Sequence, residues 1–361
     1  MGIKGFPQYI NKNLNHLFET FGESRIKNSR VAIDIGGFMH KFTECMSYPT
    51  EYVDRFLAFT EDLRSLGVQF IYVFDGVVAL SKADTLNERR RKREFANRVL
   101  DEKIAHFAKM EEKFTKLLAE SIVQKIGFPV RLVQTLDEIR KSRLQIILRK
   151  NPVNRRFFYH LETVFCQKNI PYLVADQEAE KACAWLAQRG HVDIVISEDY
   201  DTLLCGAPVM LRRWRSEVGP PCTVSLHNLL ESMGLSYTEF VTTCVLAGTD
   251  FAKPPTSYGF RKALQSVRET IRVDDHSAKS YDLFAKSYDL SAKSSPDILR
   301  KTFDRVYRSS YKTPGEGDQA LASFEEARQL FSGEQFPFRR SLLILATVWL
   351  VSLLRRQNDV K

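Results

Sequence analysis

Soft metal-ligand pairs are missing from this sequence. Its six cysteines, Cys45, Cys166, Cys183, Cys205, Cys222 and Cys244, form no CxxC pair, and it has only seven histidines. That spacing argues against a zinc or disulfide scaffold and for a reducing compartment. The N-terminus, MGIKGFPQYI, shows no apolar signal segment. Long apolar runs are scarce. The exception is SLLILATVWLVSLL (341–354), flanked by Arg339–Arg340 and Arg355–Arg356. As a helix it would rise about 21 Å, short of the roughly 30 Å hydrocarbon core. A buried C-terminal helix is the first reading. A membrane-surface or tail anchor and a partner-binding helix are the alternatives.

What is present supports a real core. The chain has 361 residues, is 44% hydrophobic, and fits one or two domains. Its 53 basic and 44 acidic residues give a formal charge of +9. That balance suits a polyanionic partner, though an ordinary basic enzyme shares it. The acids are more telling than the bases, because they stand where apolar runs end. Asp34 follows VAI, Asp75 follows VQFIYVF, and Asp199 and Asp201 follow IVISE. Glu178 and Glu180 lie in ADQEAEKACAWL, and Asp250 ends TTCVLAGTD.

Runs such as VAI and FIYVF read as buried parallel strands. Residues 30–36 and 68–75, with a helix over 50–66 between them, form a βαβ-like unit. A charged helix is expected from about Ser81 to Glu120. Strands follow at 170–175 and 192–197, with a helix from Gln177 to Arg189 between them. PVMLRRW and CTVSLHNLL suggest an edge ribbon, and the chain beyond Tyr237 reads as mostly helical. The fold class is therefore α/β, a mostly parallel central sheet flanked by helices. Two stretches are unusual: the basic tract RKSRLQIILRKNPVNRR (140–156), and AKSYDLFAKSYDLSAKSS (278–295), which repeats AKSYDL. The repeat reads as an exposed, flexible linker, with a short coiled coil as the alternative.

Carboxylates at buried strand ends can converge on one rim, and a carboxylate ring without His or Cys is a donor set for Mg²⁺. Glu178 and Glu180 would diverge by about 200° inside a helix. At a helix start, with Asp176 as cap, both can face one site. Acids gathered in this way repel one another unless cations neutralise them. Two Mg²⁺ ions about 4 Å apart could activate a water and stabilise a leaving 3′ oxygen. For any one of these acids alone, a turn or cap role is the plainer explanation. In SKADTLNERRRKREFANR, Lys82 and Arg89 are seven apart and share a helix face, with Arg93 a turn further. Such cations could hold a scissile phosphate, or simply form a solvated charged face.

Together these motifs resemble the flap endonuclease/XPG family of structure-specific 5′ nucleases. The resemblance runs through MGIKGFPQYI, VAIDIGG, YVFDG (72–76), the basic helix, ADQEAEKACAWL, SEDYDTLLCGAPVMLR and LAGTDFAKPPTSYGFRKA, most of residues 1–265. It implies a 5′ nuclease (PIN-like) core from 1–95 and 160–265, a helical gateway and enlarged cap over 81–160, and a mostly helical 266–361 with DNA-binding character. It implies that Asp34, Asp75, Glu178, Glu180, Asp199, Asp201 and Asp250 hold two Mg²⁺ ions, with Mn²⁺ as a substitute, and that Lys82 and Arg89 are the gateway's basic pair. Gly2, Arg93, Gly259, Arg261 and Lys262 would meet nucleic acid. The expected partner of this monomer is branched, nicked or 5′-ended duplex DNA, with RNA compatible, in replication, repair or recombination. The expected location is the nucleus, or a cytoplasmic replication site if the chain is viral.

The sequence departs from the family in several places. His40 stands where flap endonucleases carry a stacking Tyr. It is similar to the exonuclease-1 branch, so it could stack on a terminal nucleotide or simply pack. Ser257 replaces the first glycine of the Gly-x-Gly hairpin, and Pro254–Pro255 stiffens its approach. Both weaken the implied monovalent-cation site. The interval from Asp75 to Glu178 is longer than usual, with the excess around 125–160. It could enlarge the cap, add a nucleic-acid surface, or be solvated elaboration. No sliding-clamp docking tail is evident.

Overall fold

Val-, Ile- and Phe-rich runs that end in acids become the parallel strands of one sheet. The computed structural model describes residues 2–44, 46–77, 82–123, 130–150, 153–214, 219–254, 258–275, 297–306 and 314–332. The strands are β1 (Glu19–Thr20), β2 (Arg30–Asp34), β3 (Gln69–Phe74), β4 (Tyr172–Val174), β5 (Ile194–Ile196), β6 (Val209–Arg212) and β7 (Cys222–Ser225). Their spatial order is β1-β7-β6-β5-β2-β3-β4. The five strands from β6 to β4 run parallel, and β7 and β1 add an antiparallel edge. Burial is continuous from Val31 to Asp34 and from Phe70 to Phe74, as expected of strands covered on both faces.

The chain steps from β2 through β3 to β4 on one side, then returns to lay β5 against the other side of β2. That reversal opens a crevice at the carboxyl ends of β2 and β5, the usual ligand position in an open α/β sheet. The expected strands form, each shorter than its apolar run. The β6–β7 ribbon forms as read, while the two-residue β1, exposed at both positions, gave no sequence signal.

The chain divides into two units. The first draws on residues 1–37, 63–83 and 165–361 and holds the whole sheet. Helix Ala179–Gln188 packs on β2, β3 and β5, and helix Tyr237–Ala247 packs on helices Phe260–Asp275, Asp297–Val306 and Pro314–Ser332. The second unit, within 38–62 and 84–164, is helical. The charged tract becomes one helix, Ala83–Val123, about 60 Å long at 1.5 Å per residue. The basic tract falls largely in helix Val130–Lys150, and Glu111 receives Arg140 at 2.9 Å and Arg143 at 2.8 Å. Phe38 stacks on Phe59 at 5.1 Å and Phe42 meets Phe56 at 4.7 Å, which fixes the first pair of helices in this unit. The repeat at 278–295, Ser257 and the apolar segment at 341–354 lie outside the described residues.

Backbone crowding pins the β3–β4 end. Gly76 N–H donates to Gln177 O at 2.7 Å, and a Cβ at Gly76 would lie 2.0 Å from Ala175 O and 2.3 Å from Asp176 O. Backbone atoms cannot swing aside as a side chain does. Gly76→Ala is expected to cost about 1–3 kcal/mol, read as a lower denaturant midpoint with an unchanged slope.

Candidate metal centre at the strand ends

Each acid reaches the rim by a different local route. Asp34 is the last residue of β2 and is 2% exposed. Its Oδ1 accepts the Gly36 N–H at 2.9 Å and its Oδ2 accepts the Ser197 hydroxyl at 2.8 Å. The same hydroxyl accepts the Asp199 N–H at 3.0 Å, so one oxygen ties the ends of β2 and β5 together. Asp75 follows β3, and its Oδ1 accepts the Ala179 N–H at 2.8 Å.

That last bond revises an expectation. The sequence points to Asp176 as the helix cap, but the helix starts at Ala179, Glu178 is its N-cap residue without a side-chain cap bond, and the carboxylate at its first N–H comes from Asp75, just beyond β3. Glu178 and Glu180 therefore both sit at the helix start. One carboxylate oxygen from each of Asp75, Glu178 and Glu180 lies within 4.8 Å of the others. Asp199 leaves β5, Asp201 opens the short helix Asp201–Leu204, and the Asp201 N–H donates to Asp199 Oδ1 at 3.1 Å. Asp250 lies beyond helix Tyr237–Ala247.

Lys82 binds the cluster together. Its ammonium lies 2.5 Å from Glu178 Oε2 and 3.9 Å from Asp250 Oδ2, with the Phe251 ring 5.2 Å away. Burial works to lower its proton affinity, but Glu178, Glu180 and Asp250 outweigh that and hold it above the usual lysine value. The carboxyl groups shift the same way through crowding. Burial, then Asp75 and Asp199, lifts Asp34 from 3.8 to about 7 against the pull of Ser197 and Gly36. Glu180 rises well above its ordinary value through burial and the charges of Asp34, Asp75, Asp199 and Glu178. Asp201 does so through burial, Asp199 and Asp250.

These residues suit a hard divalent cation. The donors are carboxylate oxygens, and Asp201 Oδ1 is buried without a hydrogen-bond partner among the described residues. A cavity of about 20 Å³, room for about one water-sized species, is lined by Glu178, Glu180 and Asp201 with Lys181, Cys205 and Phe251. Cys205 offers no competing thiolate, because burial, then Glu180 and Asp201, pushes its thiol well above the ordinary value.

The other candidate residues fall in two places. Gly2 adopts φ +65°, and a Cβ there would lie 2.3 Å from Asp201 Oδ1 and 2.7 Å from Asp199 Oδ1. Gly259 is open where a Cβ would go, and Arg261 and Lys262 are exposed on the first turn of helix Phe260–Asp275. His40, Arg89 and Arg93 belong to the helical unit. His40 is exposed, and packing around its ring, then Arg93 and Arg89, holds its proton affinity below the ordinary value. Sequence reasoning missed Ser197 and Phe251. Ser197 was visible as a hydroxyl in phase with Asp199 and Asp201, two residues apart, at the end of a strand.

Residues 1–96 match the XPG N-terminal domain and residues 169–250 match the XPG I-region. Flap endonuclease 1 of Talaromyces marneffei is 31% identical over 287 residues, covering 74% of this chain and 64% of that protein. Flap endonuclease 1 of Babesia bovis is 27% identical over 301 residues, covering 78% of this chain and 40% of that protein. The chain spans about half the length of the curated relatives it matches. Among solved structures, the catalytic core of Rad2 in complex with DNA substrate aligns with a TM-score of 0.54 and 14% identity, over 99% of this chain and 95% of that one. Human GEN1 in complex with Holliday junction DNA aligns with a TM-score of 0.54 and 12% identity, over 98% of this chain and 74% of that one. The fold is shared with both.

Asp34 carries a pH signature. Its folded-state affinity for a proton exceeds the unfolded one, so its contribution to stability is full below 3.8 and is lost as pH rises through about 7. The ceiling is on the order of 4 kcal/mol. In chelator, the thermal midpoint of wild type should fall relative to Asp34→Asn between about pH 5 and pH 8. Mg²⁺ should raise it more at the upper end than at the lower, and a Mg²⁺ shift of equal size at both ends would contradict the assignment.

Proposed function

We propose that this chain, which belongs to the flap endonuclease/XPG family, is a divalent-metal-dependent nuclease that hydrolyses phosphodiesters of DNA at 5′ flaps, nicks, gaps or free 5′ ends. The observation that carries this reading is the joined cluster of Asp75, Glu178 and Glu180, with Lys82 held on Glu178 at 2.5 Å.

The seven acids Asp34, Asp75, Glu178, Glu180, Asp199, Asp201 and Asp250 would hold two Mg²⁺ ions, for which Mn²⁺ can substitute. Held by these carboxylates, such ions would supply Lewis-acid activation of water and charge neutralisation at the leaving oxygen. The residues themselves do the positioning. Asp34 is fixed from both sides by Gly36 N–H and Ser197 Oγ, so its direction is set before anything binds. Lys82 keeps its proton at ordinary pH and offers a permanent positive charge to a non-bridging phosphate oxygen. Phe251 against the ammonium limits water there, which strengthens that charge.

Away from the acids, Gly259, Arg261 and Lys262 are proposed to meet backbone phosphates, and Gly2, His40, Arg89 and Arg93 to meet the substrate as well. The exposed first turn of helix Phe260–Asp275 supports the former, because two cations stand together there at the positive end of the helix dipole. Ser257, which precedes them in the sequence, makes no part of this assignment.

The test is cleavage of 5′-labelled flap and nicked duplexes, in DNA and RNA versions, with and without Mg²⁺. Wild type should cut the DNA substrates only with the metal. Asp75→Ala and Asp199→Ala should lose cutting while still binding DNA. Lys82→Ala should lower kcat by about 10²–10³-fold. Full activity in Asp75→Ala, or cutting that ignores chelator, would sink the reading. Binding without any cutting would instead mark a nucleic-acid-binding protein on a nuclease fold. Arg261→Ala and Lys262→Ala should each reduce the slope of log affinity against log salt by about 1.

A further inference from the structure

The loop leaving β5 alternates two kinds of residue. Asp199 and Asp201 occupy the space a Cβ on Gly2 would need, at the acid rim. Glu198 and Tyr200, interleaved with them, are held by a single side chain, Arg212. Arg212 ends β6, which pairs in parallel with β5 through Val195–Met210 and Ile196–Leu211. Its side chain therefore starts at the same end of the sheet as the acid loop.

The guanidinium is used on its edge and on its face. One nitrogen donates to Tyr200 Oη, and another donates to Glu198 O at 3.0 Å and lies 3.6 Å from Glu198 Oε2. Its central carbon is 4.0 Å from the Tyr200 ring centroid. The next residue adds a bond, with Arg213 N–H donating to Glu198 Oε1 at 2.9 Å. Arg213 does so at φ +56°, a conformation most side chains avoid. From the other side, Phe6 meets the Tyr200 ring edge-on at 5.4 Å. Tyr200 is 4% exposed, so this grip is largely shielded from water.

A loop carrying two mutually repelling carboxylates needs such a grip, because their repulsion favours any motion that separates them. We propose that Arg212 is a positioning residue for the metal centre: by holding Glu198 and Tyr200 it sets the spacing and direction of Asp199 and Asp201 for divalent cations. Lysine could not replace it, because a point charge cannot fork to a carbonyl and a hydroxyl while stacking on the ring. This inference rests on the metal-centre reading above, and it assigns Arg212 no contact with substrate.

The experiment titrates full-length protein with Mn²⁺ by calorimetry in the absence of nucleic acid, beside the Mg²⁺ dependence of flap cleavage. Arg212→Ala should weaken Mn²⁺ binding by about 10–100-fold and raise the half-saturating Mg²⁺ concentration similarly. Saturating Mg²⁺ should restore most of kcat, and DNA affinity measured in chelator should stay near the wild-type value. Arg212→Lys should rescue only part of the metal affinity. If Arg212→Ala fails to fold, Tyr200→Phe replaces it. That variant keeps the ring and its Phe6 contact but loses the hydroxyl, and it should show a smaller shift in the same direction. Wild-type Mn²⁺ affinity in Arg212→Ala, or in Tyr200→Phe where it stands in, overturns this inference alone. A wild type that binds Mn²⁺ yet cuts no nucleic acid overturns the nuclease reading alone.

Discussion

Repulsion among carboxylates at one rim of a parallel sheet is the constraint to which the surrounding structure answers. In water these groups would separate. Here covalent continuity with β2, β3, β5 and helix Ala179–Gln188 prevents it, so their charge is met by raised proton affinities, by hydrogen bonds and by Lys82. The upward shifts of Asp34, Glu180 and Asp201 come first from burial and then from the neighbouring carboxylates. A stability-optimised protein would not keep such an arrangement. Its persistence makes sense where cations complete it.

The N-terminal segment makes the rim a joined object. Lys4 N–H donates to Gly248 O at 2.9 Å, and Lys4 O accepts the Phe260 N–H at 3.2 Å. This one turn residue thus stitches the turn before Asp250 to the start of the helix carrying Arg261 and Lys262. Two residues on, Phe6 lies 5.4 Å from Tyr200, 5.7 Å from Phe240 and 4.8 Å from Phe260. Full burial of such a ring contributes about 1.5–3 kcal/mol, with aromatic geometry adding about 0.5–1.5. The same ring is common ground for three elements far apart in sequence.

Much of this was legible in the chain. Buried strands announce themselves as short apolar runs, and acids placed at their ends declare the rim, which is why the parallel core and the acid positions could be read from spacing. The helix cap could not. Asp176 is adjacent in sequence and Asp75 is a hundred residues away, and only the β3–β4 pairing decides between them. Ser197 was hidden for a related reason, since its hydroxyl matters through Asp34 on a neighbouring strand. Arg212 looked like one of many basic residues, and its part depends on register between β5 and β6. Local pattern carries periodicity and ends, whereas partners across strands belong to topology.

Gly2 has a wider implication. A methyl group on it would lie well inside van der Waals contact with a carboxylate oxygen, on a backbone at φ +65° that favours glycine, so any side chain there would displace an acid of the rim. Gly76 is held more tightly still, because it is pressed against two backbone carbonyls that cannot swing aside. An added side chain on the exposed face of a helix has solvent to enter, whereas at these two glycines it has none. At these points the chain's path is set by the absence of a side chain rather than by the contacts of one.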